Sequence, residues 1–354
     1  MIRYTIIRTL WIFIILFLVI SVNFSLLRLA PLYPPPTEEE REIFYEQQVR
    51  DGLMERRIER DPDTIQGIRD RQIQLPRNAF YFDEDTQLRI YEPVPIPRQY
   101  VQWMGNILTE WNWGVSQSVQ ANVPVFEVLV SRIPVTVMLN IIALFFYIPI
   151  GFALGIIAAL RKDHLTDNII SLSVMVFISI PSFVVMSIFV LVFGYQLGWL
   201  PSQYPAADIT GWIRVEALVL PVLGLSFGAV AGLTRTTRAE LSEVLTSEFL
   251  LLARTKGLTR TQSVIRHAMR NSMVPLVPGI IASFVGLLSG SVIIERIYSI
   301  PGTGRIFVSA MQQDDYNLVL GVTAFYTIIS LFAVLLVDLS YGVVDPRIRM
   351  GARK

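Results

Sequence analysis

Six stretches of this 354-residue chain continue for about eighteen residues or more without a charged side chain, and that pattern constrains the fold more than any other feature. They are Thr9–Leu27, Ile133–Leu160, a run from Asn168 past Gly194 and Tyr195, Ala217–Thr234, Asn271–Ile294 and Tyr316–Val337. Each is long enough for a helix to cross roughly 30 Å of hydrocarbon. Strands are unsuitable there, because in lipid every backbone amide has to be satisfied within its own segment unless a barrel closes. The expectation is an all-α integral membrane protein with six transmembrane helices. The first lies within 1–30 and the others near 133–160, 169–194, 217–235, 273–294 and 317–343. Composition agrees, since only 17% of residues are charged against roughly 25% in soluble domains. A cytosolic enzyme, a disordered tail and a nucleic-acid binder are thereby excluded. The absence of cysteine removes disulfides, thiolate metal sites and a Cys nucleophile. Two histidines, His164 and His267, are too few for a multi-His metal site.

The first run follows Arg3 and Arg8 but is longer than a signal-peptide core, and no small-residue cleavage pattern follows it closely. It is expected to stay as a helix. Orientation follows from Lys and Arg near the helix ends. With the N-terminus inside, one face collects Arg3, Arg8, Arg161, Lys162, the basic residues between Arg235 and Arg270, and Arg347, Arg349, Arg353 and Lys354. The short loops opposite hold only Arg214, Arg296 and Arg305. Both termini are therefore expected on the cytoplasmic side. The formal net charge of +1 is then the near-cancellation of a basic inner face and an acidic outer one.

Between the first two runs lies an extracytoplasmic segment, 31–130, too long for a plain connector. It opens with Pro31, Pro34, Pro35 and Pro36, continues through a charged stretch, Glu38–Arg71, expected as one or two solvated helices, and reaches a second Pro-rich piece, Pro93–Pro97. Tyr100, Trp103, Trp111 and Trp113 suit either a helix at the outer membrane interface or a small soluble cap with those rings in its core.

Several motifs carry chemistry elsewhere and have to be weighed here. Gly224-Leu-Ser-Phe-Gly228 matches the G-x-S-x-G nucleophile pattern around Ser226. That pattern works at a strand-to-helix elbow, whereas this copy lies inside an apolar helix. Gly224, Gly228 and Gly232 recur every four residues, which suits close helix packing, and Gly151/Gly155 and Gly286/Gly290 repeat the spacing. No Gly-x-x-x-x-Gly-Lys-Ser/Thr occurs, so phosphates of ATP are not cradled by that route. Asp338 near the inner end of the last run suits a helix-end residue paired with a cation better than a proton relay, and no ionisable group falls at mid-membrane. A stand-alone secondary carrier is thereby disfavoured.

The segment 236–272 is basic yet patterned as two short helices. Ser247–Lys256 forms a helical run that meets Gly257, suited to a left-handed C-cap. Thr259-Arg-Thr-Gln262 fits a capping box for a second helix, and Pro275 and Pro278 are expected at the start of the next span. A helix–glycine–helix knuckle of this kind suits docking into a partner's groove, and equally a basic loop lying on anionic lipid heads.

Ala253-Arg-Thr-Lys-Gly257-Leu258, followed by Arg266-His-Ala-Met-Arg-Asn271 and Pro275, resembles the cytoplasmic coupling loop of permease subunits in ABC importers of the dipeptide/oligopeptide/nickel class. Tyr298-Ser-Ile-Pro301-Gly-Thr-Gly304-Arg305 with Asp315-Tyr316, Asp338-Leu-Ser-Tyr341 with Asp345-Pro346-Arg347, and Gly114-Val-Ser116 with Pro124 and Arg132-Ile-Pro134 are similar to further signatures of that family. The resemblance covers the first helix and nearly everything from Tyr100 to Arg349. It implies the type I importer architecture, with a transmembrane domain over 131–345, a coupling loop within it and a tail, 346–354. It also implies a homologous second permease, two ATPase subunits that hold ATP and Mg, and an extracytoplasmic binding protein, with no cofactor or catalytic residue in this chain. Peptides are the expected cargo, with nickel chelates or oligosaccharides as alternatives. The implied ATPase contact comprises Glu248, Ala253, Arg254, Thr255, Lys256, Gly257 and Leu258. Two departures stand out. Leu251, Leu252 and Ala253 occupy the place of the general Glu-Ala-Ala, leaving Glu248 as the nearby acid, and the segment Pro31–Arg98 is longer and more charged than the common form.

Overall fold

The computed structural model describes residues 2–30, 34–206, 211–288 and 292–344. The molecule is mostly helical. Four helical segments are long and apolar enough to cross a membrane: Thr5–Leu29, Val125–Leu160, Trp212–Leu245 and Tyr316–Gly342. A fifth appears if the bent pair Leu165–Ser179 and Ser182–Gln196 is one span. The run expected as the fifth of six spans passes through residues 289–291, outside the described residues, as do Gly290 of the Gly286/Gly290 repeat, the Asp345-Pro346-Arg347 motif and the tail.

The first helix, α1 (Ile2–Leu29), is exposed along most of its length. It packs on the last helix of the chain and carries Arg8, which pairs with Asp338 at 2.6 Å. The cation for Asp338 thus comes from a membrane helix, at the end of the bundle away from residues 34–110.

Those residues form a small cap that is not all-helical. Helix α2 (Glu38–Arg50) is followed by strand β1 (Met54–Glu59), helix α3 (Pro62–Arg69), strands β2 (Phe80–Glu84) and β3 (Gln87–Pro93), and helix α4 (Ile96–Glu110). The antiparallel sheet has the order β1-β3-β2, with Met54 opposite Pro93 and Phe80 opposite Tyr91. Alternation along β3 sends Leu88 and Ile90 to Ile65 and Ile68 of α3, while Tyr91 joins Phe82, Met54 and Tyr45 of α2. The expected solvated helices are α2 and α3, and the intervening strand was hidden by its charge. In β1, Glu55, Arg56 and Arg57 stay exposed and pair with Arg98, Glu46 and Glu92. The Tyr91 hydroxyl donates to Glu46 at 2.7 Å and, with Arg56, holds that carboxyl below the usual range.

The rings of the aromatic segment do not pack within the cap's own core. Tyr100 and Trp103 pack on Phe24 of α1, Trp103 meets Trp113 edge-on, and Trp113 reaches Phe126. These rings join the cap to the bundle. Only Trp111 of the three tryptophans is largely exposed, at 59%.

Helix α5 (Val125–Val130) leads into α6 (Ile133–Leu160), then α7 (Leu165–Ser179) and α8 (Ser182–Phe189), which continues as a π-helical turn to Gln196. The expected single rod over 169–194 is broken. Ile180 is extended (φ −89°, ψ 122°) because Pro181 disfavours a helical residue before it, and the two halves meet at 94°. Helix α9 (Trp212–Leu245) lies along α6, and their closest approach is at Gly151 and Gly155. A Cβ on Gly155 would overlap Thr237 and the Thr234 carbonyl; one on Gly151 would crowd Leu233. The expected stripe on α9 is only partly a packing surface. Gly224 lies against Met186, whereas Gly228 and Gly232 face open space. Four-residue spacing marks a face, but it does not show which partner, if any, lies against it.

Overpacking at such a contact costs about 1–3 kcal/mol. Gly155→Val is therefore expected to lower the thermal midpoint of the purified protein clearly, and Gly228→Ala to leave it unchanged; equal midpoints would contradict this packing.

Candidate functional site

Helix α9 has 34 residues, about 51 Å at 1.5 Å per residue, so it outruns a bilayer core of roughly 30 Å. Its last turns carry Arg235, Arg238, Glu240 and Glu243, beyond the apolar run. A knuckle follows, composed of α10 (Glu248–Thr255), the short α11 (Arg260–Ser263), a π-helical turn Val264–Ala268 and α12 (Met269–Leu288). Pro275 and Pro278 sit inside α12 rather than at its first position, because the helix begins earlier than the sequence indicated.

Helix α10 is held by Leu250 and Ala253, which are three residues apart and share one face. Leu250 joins Ala159 of α6, Leu241 of α9 and Ala268 in a small apolar cluster, and Ala253 is buried beside it on the same face. The next positions point the other way. Leu251, Leu252 and Ile265 are 64%, 57% and 63% exposed. Of the residues implicated from sequence, Ala253 is buried, Glu248, Arg254, Thr255, Lys256 and Gly257 are exposed, and Leu258 is half-buried. Glu248 forms no ion pair within 4 Å among the described residues. Gly257 adopts φ +92° with open space at its Cβ position, and its N–H donates to the Arg254 carbonyl at 3.0 Å. The capping box is present: Gln262 N–H donates to Thr259 Oγ1 at 3.3 Å, and Thr259 N–H to Gln262 Oε1 at 3.1 Å. The exposed leucines were missed as contact candidates, although the inward spacing of Leu250 and Ala253 already implied them.

The knuckle's base is braced by a pair that the sequence did not disclose. Asp167 of α7, buried, accepts from Arg238 Nε and Nη2 of α9 at 2.5 and 2.7 Å, and from the Asp163 N–H at 2.9 Å. The two histidines make only local contacts among the described residues. His267 lies edge-on to Phe249, and His164 Nδ1 is 3.0 Å from the Lys162 carbonyl. Ser226 is buried and donates to the Ala143 carbonyl at 3.4 Å, so no nucleophile–base pair forms around it.

Two buried carboxylates organise the cap end. Asp315 opens α15 (Tyr316–Val344) and accepts from Ser116 Oγ at 2.5 Å and from the N–H groups of Gln117, Ser118 and Val119 at 3.0–3.2 Å. Beside it, Asn317 Oδ1 accepts from Arg28 at 3.2 Å while its amide donates to the Val115 carbonyl at 3.1 Å. Glu295, in α13 (Val292–Ile297), is fully buried at the start of α14 (Thr303–Gln312). It accepts from Arg305 N–H at 2.9 Å and from Thr136 Oγ1 of α6 at 2.8 Å. Thus the motifs at 114–116, 124, 132–134, 298–305 and 315–316, remote in sequence, converge on one end.

Residues 151–350 match the profile of a family described as "Binding-protein-dependent transport system inner membrane component". The chain belongs to that family. This permease is 34% identical over 279 residues to the dipeptide transport system permease protein of Lactococcus lactis, covering 79% of this chain and 86% of that protein. It is also 34% identical to the oligopeptide transport system permease protein of Escherichia coli, over 72% of this chain and 81% of that one. Among solved structures, the inward-facing MetNI methionine ABC transporter matches 64% of this chain and 98% of its own at 20% identity, with a TM-score of 0.45. The matched family segment includes the knuckle and both buried carboxylates, whereas the cap's sheet lies outside it. As a member, this chain is a multi-pass component of the inner membrane and a transport subunit.

Losing an N-cap side chain costs about 1 kcal/mol. Thr259→Ala is therefore expected to raise amide exchange by roughly fivefold over Gln262–Val264 while leaving α6 and α9 unchanged; unchanged exchange at Gln262 would show that the box contributes nothing.

Proposed function

We propose that this permease is one of two membrane-spanning subunits of an ATP-driven importer that receives peptides from an extracytoplasmic binding protein. The observation that carries the cargo is the identity, over most of the chain, to proteins named as dipeptide and oligopeptide permeases. In this reading six spans cross the inner membrane with both termini inside, and the cap faces outward. The basic residues gathered around the knuckle support that orientation. A homologous permease completes the pathway, and two ATPase subunits hold ATP and Mg, for which this chain has no phosphate loop.

The knuckle is the coupling element. Arg254, Thr255, Lys256 and Gly257 present its tip, and Leu258 closes the turn. Leu251, Leu252 and Ile265 give the docking face an apolar character where a glutamate would provide an ion pair. Closure of the ATPases pushes on α10, whose buried face bears on α6 and α9, and the helices rock between two openings.

Two experiments test this. Deleting the gene is expected to abolish uptake of small peptides, and normal uptake of peptides of every length would remove the assignment. Gly257→Asp places a Cβ in a left-handed conformation, which costs about 1–2 kcal/mol, and an acid directly after Lys256. We expect an inserted, assembled complex that hydrolyses ATP while peptide uptake falls at least about tenfold, and wild-type uptake would refute the coupling role.

A further inference from the structure

We propose that Arg132 and Arg305 form a carboxylate subsite at the cap end of the bundle, which receives the C-terminal carboxylate of the cargo peptide. Both side chains line one cavity of about 260 Å³, together with Val119, Pro301, Gly302 and Ser309. None of the described residues lining it is acidic. Arg305 engages one Nη with the Ser299 carbonyl at 2.7 Å and makes no ion pair within 4 Å among the described residues. The Arg132 guanidinium has no hydrogen-bond or ion-pair partner among them, and its Nε is buried. The buried Nε of Arg132 lacks an acceptor while the rest of the side chain stays partly exposed, so an arriving anion would supply the missing partner. The planar fork of arginine can hold a carboxylate through two parallel hydrogen bonds.

The site is also held in place. Glu295 lies directly beneath Gly302, where a Cβ would overlap its carboxyl carbon. Its oxygens accept from the Arg305 backbone N–H and from Thr136 Oγ1, one helical turn beyond Arg132. One buried carboxylate therefore positions both segments that bear the arginines. It forms an ion pair with neither of them, since neither guanidinium lies within 4 Å of it. The cavity is left with two cations on a rigid frame and a hydroxyl, Ser309, beside them. Val119 and Ile306 supply an apolar wall for the side chain of a terminal residue.

The inference rests on the peptide reading, and its test separates the two. The full transporter, purified with its partner subunits in phosphatidylcholine nanodiscs, is titrated with trialanine and trialanine amide without binding protein, and binding is followed by saturation-transfer NMR. Charge-assisted hydrogen bonds contribute enough for a difference of about tenfold. Wild type is expected to prefer trialanine by that factor. Arg132→Gln and Arg305→Gln are each expected to abolish the preference, and Arg132→Lys to restore part of it. Equal affinity of wild type for the two peptides, or a preference that survives both Gln substitutions, overturns the subsite. Loss of binding-protein-dependent uptake with the preference intact would make the arginines a binding-protein contact and would overturn it as well. If the Gln variants fail to assemble, the wild-type comparison and Arg132→Lys still decide the matter. Wild-type uptake of trialanine without a carboxylate preference sinks only the subsite, whereas no binding and no uptake of any peptide sinks the peptide reading too.

Discussion

The close approach of α6 to α9 is the constraint on which the rest of the molecule depends. Without side chains at Gly151 and Gly155, the two backbones come near enough for Leu233, Thr234 and Thr237 to fill the space. In lipid no hydrophobic force pulls helices together, so dispersion at such contacts has to do so. Once α6 and α9 are paired, Ala159 and Leu241 stand side by side at one end and make the floor on which Leu250 seats α10. At the other end the same pairing puts Thr136 within reach of Glu295. The knuckle and the cap end are thus opposite ends of one helix pair.

Buried acids act as fasteners in this protein. Asp167 joins α7 to α9 through Arg238, Glu295 ties α6 to the start of α14, and Asp315 holds the 116–119 loop at the start of α15. Two of the three satisfy backbone N–H groups at a helix start, which would otherwise be orphaned. None resembles a proton relay, because each is at the end of a helix and fully supplied with donors.

The cap follows a different logic. Many of its acids are paired within it: Glu42 and Glu84 with Arg89, Glu46 with Arg56, and Asp83 with Arg69. Exposed pairs of this kind contribute little stability singly. The cap's order comes from its small sheet, clad by α2 on one face and α3 on the other, and from the aromatic seam onto α1.

The sequence alone determined that the chain lies in a membrane, which segments are basic, and that Gly257 and Thr259 punctuate the knuckle. These are local properties: uncharged length, capping geometry and the need to satisfy amides in lipid act within one segment. The order of motifs was enough to reveal the family. Only tertiary structure decided which glycines pack, since Gly155 and Gly228 have the same spacing signal and only one meets a neighbour. It also decided that the third run bends at Pro181, that charged β1 is a strand in a sheet, and that Asp315 closes on Ser116, 199 residues away in sequence. Each of those depends on a partner far away in sequence or on a backbone direction that composition does not encode. The unpaired guanidinium of Arg132 belongs to the same class, because the lack of a partner is visible only when every neighbour is in place.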